Sequence, residues 1–254
     1  MNEFGKQSTI PAVDDVAWFE VDHQNKRQIL IQKDMLIKQL TRDGPIIAAS
    51  FDKLASETLC QCSELTARSY GALLAKLPCV DDEGFEATSS RLIATAINNF
   101  TASVEVARHG YPLQYGTLVR GIHETLAVVL VLATEKMALE DFHGGKLKST
   151  KCITKAKQIL PHVGQMWAWY SDFFVHIGAQ HASLDPPKVW VKNDAALRFI
   201  TQSMRHDSWL IYVVVELVFC ARFSDRLYWQ RDGQGFVFSP NERGQKQMEE
   251  FLFR

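Results

Sequence analysis

Between Leu126 and Ala133 the chain reads LAVVLVLA, apolar on every side of a helix rather than along one stripe. Such a helix is stable only where other elements surround it, so the fold needs a central helix inside a shell of others. A second stretch, WLIYVVVELVFCA from Trp209 to Ala221, makes the same demand and carries one charge, Glu216. Both fall short of the roughly 20 apolar residues that span a bilayer. They read as buried core, with no membrane partner expected.

The rest of the chain supplies the shell. At 254 residues it is long enough for a substantial single core. Helical periodicity dominates, with a first segment from Asp14 to about Leu40 in which ILIQKDMLIKQL places apolar residues at helical spacing. Asp43-Gly44-Pro45 breaks it and opens a second helix running to about Pro78. Acidic residues from Asp81 to Glu86 suit the start of a third, which stops at Gly110. The fourth runs from Pro112 to about Glu140, and His143-Gly144-Gly145-Lys146 ends it. A lysine-rich helix follows, then HVGQMWAWYSDFFVHIG, then a loop or extended piece from Leu184 to Asp194. A long helix covers about Asp194 to Leu227.

Near the end, Asp232-Gly233 between two aromatic runs signals a hairpin. Ser239-Pro240-Asn241-Glu242 reads as N-cap, first-turn proline and capping glutamate. The expectation is an all-α helical bundle with a small C-terminal β-hairpin. It forms one domain over 1–254, with N-terminal helices at 14–78, a core at about 81–227, and the hairpin and last helix at 228–254.

Charge and cysteines narrow the function classes. A net charge of -1 gives no general pull on nucleic acid or anionic lipid, so RNA or a nucleotide would need a local basic patch. Lys148, Lys151 and Lys155 share one helix face and are that candidate patch, although a solvated face is the commoner meaning of such a pattern. Five cysteines with one C-x-C and no C-x-x-C form neither a disulfide framework nor a zinc site. They suggest a reducing, cytoplasmic setting, and the first residues lack the layout of a secretion signal.

Two polar groups on otherwise apolar helices stand out. Arg120 and Glu124 lie one turn apart beside the apolar run, either as a plain ion pair or as groups turned into the bundle towards a ligand. In the stretch YSDFFVHIGAQH, Asp172 and His176 are likewise one turn apart, an arrangement suited to acid–base work. His181 follows five residues on, about 140° around the helix. That spacing is poor for a metal, so no metal site or cofactor is expected. The expected cluster is Arg120, Glu124 and His176 across two facing helices, flanked by Tyr170, Ser171, Asp172 and His181.

The order ARHGYPLQYGTLVRGIHETL, then FHGGK, then YSDFFVHIG resembles a group of helical bacterial proteins related to the HEPN superfamily. The resemblance covers about Arg91 to His181. It implies a helical bundle that dimerises or meets a protein partner in defence or toxin–antitoxin systems. In its active ribonucleases an arginine precedes a histidine by four to six intervening residues; the arginine stabilises the phosphorane and the histidine moves protons. Here that spacing is absent, with Lys157 before His162 the nearest approach. The resemblance therefore implies a non-catalytic binding or assembly module, with a divergent ribonuclease or nucleotide-handling enzyme, using Arg120 and His176, as the alternative.

Overall fold

The computed structural model describes residues 15–76, 83–176, 178–182, 186–233 and 235–252. Asp14, Pro78, Asp81 and Leu184, which bounded expected elements above, and Cys79 of the five cysteines lie outside them.

The N-terminal region corrects the sequence reading. Residues expected to open a long helix instead form an antiparallel hairpin, β1 (Val16–Asp22) and β2 (Arg27–Gln32), with Phe19 opposite Leu30 and Glu20 opposite Ile29. Contiguous Ile29-Leu30-Ile31 fits helix and strand alike by periodicity. The turn decides between them. Asp22 accepts hydrogen bonds from the Asn25 backbone N–H (3.0 Å), Asn25 Nδ2 and Arg27 Nε (both 2.9 Å), and Lys26 takes the left-handed φ of 52°.

Only a short helix, α1 (Met35–Lys38), remains of the expected first segment. A π-helical turn leads from it into α2 (Gly44–Leu54), with Pro45 in the first turn as expected. The expected second helix is divided at Ala55, so that α3 (Ser56–Lys76) is separate.

From there the helical reading holds with shifted ends. The helix α4 (Phe85–Arg108) has Glu86 in its first turn and ends at His109, with Gly110 at φ 84° and the Tyr111 N–H returning to the Val106 carbonyl (3.2 Å). Next comes α5 (Pro112–Thr134), shorter than expected because Glu135 turns extended and α6 (Ala138–His143) starts afresh. Then follow α7 (Ser149–Ile159) and α8 (Pro161–Tyr170), which widens into a π-helical turn over Ser171–Val175.

Residues 186–194 carry no strand. Asp194 caps α9 (Ala195–Val218) by accepting from the Ala196 N–H at 2.8 Å. The expected hairpin is present as β3 (Trp229–Asp232) and β4 (Gly235–Phe238), with Gly233 at φ 56° in its turn. The cap of α10 (Glu242–Leu252) is Asn241 rather than Ser239: its Oδ1 accepts from the Gly244 N–H at 2.9 Å.

Two helices organise the interior. The helix α5 packs against α4, α7, α8 and α9, which is the shell its apolar run requires. At 23 residues it is long and apolar enough to cross a membrane, and 61% of its apolar window is buried within the bundle, the pattern of a core helix. The helix α9 runs beside it and is buried along most of its length from Ser203 to Val218. Gly116 lets α5 approach the π-helical turn, because a Cβ there would sit 2.1 Å from the Phe174 ring.

Candidate functional site

The expected cluster divides. Arg120 Nη2 and Glu124 Oε1 form an ion pair at 2.8 Å, each about a quarter exposed. Trp167 of α8 donates its indole N–H to the same glutamate oxygen at 3.2 Å, and the guanidinium lies 5.5 Å from the Trp167 ring centroid. His176 does not join them. The helix has already ended there: its N–H returns to the Ser171 carbonyl, ψ turns extended and the residue is exposed. Among the described residues no hydrogen bond links His176 to Arg120 or Glu124. The π-helical turn shifts the register that placed His176 on the inward face.

The flanking candidates scatter similarly. Asp172 is exposed and Ser171 is buried. His181 Nδ1 accepts from the Gly178 N–H at 3.2 Å, and its Nε2 donates to the Phe174 carbonyl at 3.3 Å, fastening the turn. Lys151 and Lys155 are exposed on α7, Lys148 is exposed at the extended position just before it, and Lys155 pairs with Glu135. Of the group, Tyr170 alone reaches a larger polar network.

That network centres on Asp207, which is fully buried. His123 of α5 donates Nε2–H to Asp207 Oδ1 at 2.9 Å, and His206 Nδ1 makes a longer contact to the same oxygen at 3.4 Å. Ser203, one turn earlier on α9, donates to Oδ2 at 3.0 Å. Because that hydroxyl spends its proton on Asp207, it accepts from both Tyr115 (2.7 Å) and Tyr170. Three side chains from α5 and α9 thus contact one carboxylate, and Tyr115 of α5 and Tyr170 of α8 reach it through Ser203.

The electrostatics follow from burial. Burial pushes the Asp207 carboxyl up, but the hydrogen bonds from His123 and His206 outweigh it and hold it below the usual carboxylate range. Burial holds His206 below the ordinary histidine value despite its bond to Asp207, and burial does the same for His162. Burial first, and the Asp207 charge second, push the Tyr115 and Tyr170 hydroxyls well above the ordinary tyrosine value, so both stay protonated donors. The Cys62 thiol of α3, which bonds to Ser208 near Asp207, is pushed up to about 11 by burial.

This wiring limits the chemistry. A serine nucleophile needs an adjacent base and room for a substrate at its oxygen, whereas the Ser203 oxygen is buried and already bonded to a carboxylate and two tyrosines. One ligand atom from each of His123, His206 and Asp207 lies within 4.8 Å of the others, so the described residues do include a group able to hold a metal ion. All three are buried, and hydrogen bonds already join them. The sequence reading missed this centre. Its signal was the pair His206-Asp207 just before the apolar run of α9, where a carboxylate drawn into the interior requires buried partners.

An accessible recess lies against α9 between α3 and α4. The helices α3 and α4 both pack on α9 more than on each other, leaving a groove of about 600 Å³ between them. One wall is a helical stripe of α3: Leu59, Cys62, Ser63, Thr66, Ala67 and Tyr70. Phe100, Thr101 and Val104 of α4 form the other wall, with Met204 of α9 also lining the groove. The Thr66 hydroxyl is buried without a partner among the described residues. At one end Asp52 and Arg108 meet in a two-pronged ion pair, both contacts 2.7 Å, and Glu105 joins them. Through these bonds Arg108 holds the Asp52 carboxyl below its usual range.

In comparisons with protein-family models, with curated proteins and with solved structures, no match to the chain was found.

Proposed function

We propose that the chain is a non-catalytic helical binding module whose α3–α4 groove receives an amphipathic helix of a partner protein. The observation that carries this is the division of labour between two sites. The histidine–aspartate centre is sealed inside the bundle, while the open recess is apolar and its titratable rim is ion-paired. The α3 stripe from Leu59 to Tyr70 runs for about 16 Å, or three helical turns, which suits a helix laid lengthwise. Two carboxylates to one guanidinium on the rim favour a basic flank on the occupant.

The HEPN-like character, the bacterial defence setting and the cytoplasmic location expected from sequence belong to this same proposal. The lack of the arginine–histidine spacing, the near-neutral charge and the free thiols of Cys60, Cys62, Cys152 and Cys220 support it. The ribonuclease alternative has less support, since Arg120 is engaged by Glu124 and Trp167 and, among the described residues, no hydrogen bond joins it to the exposed His176.

The test is fluorescence titration with labelled amphipathic peptides carrying leucines at helical spacing and lysine flanks. Saturable binding that is lost in Ala67→Trp, which fills the groove, is the expected result. Binding unaffected by Ala67→Trp would reject the groove. Cleavage of a labelled RNA by the wild type, abolished in His176→Ala, would restore the enzyme reading.

A further inference from the structure

The N-terminal hairpin leaves apolar side chains exposed on both of its faces. Opposed residues share a face, so Trp18, Ile31 and Ile29 lie on one side and Phe19, Leu30 and Val21 on the other. Trp18 is 60% exposed and Phe19 56%. A two-stranded sheet on its own is marginal in water, and this one has no covered face.

Exposed apolar residues continue into α1 with Leu36 and Ile37, and among the described residues ten of the seventeen large exposed hydrophobic ones lie between Trp18 and Ile46. Together they leave on the order of 1,000 Å² in water. They are spread over both faces of the hairpin and on to Ile46 of α2, so each face offers only part of that area.

The two edges of this sheet differ. Along β1 the pairing is irregular between Val16 and Trp18, the kind of bulge that blunts an edge. The pairing of β2 is regular from Arg27 to Ile31, and its outer edge is unpaired among the described residues. Its central sequence, Gln28-Ile29-Leu30-Ile31-Gln32, reads the same in both directions. It also lacks the lysine or proline with which exposed edges are usually protected.

We propose that this edge joins a second copy of the chain, with two β2 strands pairing antiparallel about a two-fold axis at Leu30. Such pairing sets Leu30 against its own copy, Ile29 against Ile31 and Gln28 against Gln32. No charges meet across the five central residues. One face of the resulting four-stranded sheet carries the row Phe19–Leu30–Leu30–Phe19. The other carries Trp18–Ile31–Ile29–Glu20. A symmetric dimer requires a self-complementary surface, and the palindrome at β2 supplies it. This surface is separate from the α3–α4 groove, and either can fail without the other.

The experiment is analytical ultracentrifugation with site-specific cross-linking. The wild type is expected to sediment as a dimer at micromolar concentration. Leu30→Lys, which brings two like charges to the axis, is expected to sediment as a monomer with unchanged helical circular dichroism. On a Cys60→Ser, Cys79→Ser background, Leu30→Cys is expected to form a covalent dimer under mild oxidation. Gln28→Cys should do so only when mixed with Gln32→Cys. A monomeric wild type, a dimer that persists in Leu30→Lys, or cross-linking of Gln28→Cys to itself would each overturn the proposal. Peptide binding in the groove is read separately in Leu30→Lys.

Discussion

Among the described residues are two β-hairpins of similar size in opposite circumstances. In β3–β4, Trp229 is buried and donates its indole N–H to the Val213 carbonyl at 2.8 Å. Glu216 of α9 accepts backbone N–H bonds from Leu227 (2.9 Å), Tyr228 (2.7 Å) and Trp229 (3.1 Å), which ties the start of the hairpin to the core. Phe238 packs against His162, Trp209, Tyr228 and Trp229. The β1–β2 hairpin has its own turn chemistry and cross-strand pairs but no such anchor. Strand pairing and a good turn therefore suffice to shape a hairpin. A buried face and satisfied backbone donors decide whether it belongs to the core.

Removing the anchor should have the largest effect. Glu216→Ala leaves three buried backbone donors without their acceptor, and we expect a loss of about 3 kcal/mol or more in chemical denaturation. If the β3–β4 hairpin held by strand pairing alone, as β1–β2 does, the loss would be negligible.

Acid should act on the anchored side of the molecule. His206 and His162 bind protons more weakly folded than unfolded. Between their lowered values and the unfolded value of about 6.5, the unfolded chain takes up more protons, so stability falls as pH falls. Asp207, held low, contributes stability that is present above the unfolded carboxylate value of about 4 and lost as pH drops through its folded value. Thermal melts should show a lower Tm at pH 5.5 than at pH 7.5, with a smaller difference in His162→Phe. A flat profile would contradict the buried, neutral state of these histidines. Substitutions in β1–β2 should leave the slope unchanged.

The smallest effect belongs to the exposed hairpin. At concentrations low enough to keep the chain monomeric, Trp18→Ser and Phe19→Ser should each change stability by no more than about 0.5 kcal/mol. A larger loss in thermal melts would mean that the bundle relies on this hairpin as it does on the other.

Local chemistry was legible in the sequence. The all-round apolar run of α5, Pro45 and Pro112 in first turns, the Gly110 stop and the Asp232-Gly233 turn are each set by neighbouring residues and appear as read. Where the local signal was balanced, it misled. Ile29-Leu30-Ile31 fits either period, and only the Asp22–Asn25–Arg27 bonds across the turn show that the chain reverses. The candidate site depended on more distant facts. Arg120 and Glu124 pair one turn apart as their spacing requires, but the π-helical turn at Ser171–Val175 carries His176 out to solvent. Tyr115, His123, Tyr170, Ser203 and Asp207 span more than 90 positions of sequence and meet only because α5, α8 and α9 pack together. From α2 onward the sequence by itself determined which segments form helices and which must be buried, because propensity and periodicity act over a few residues; at the N-terminus it did not, since the apolar run there fits either period. Packing alone decided which polar groups share the interior and which groove stays open, because those depend on how helices distant in sequence approach one another.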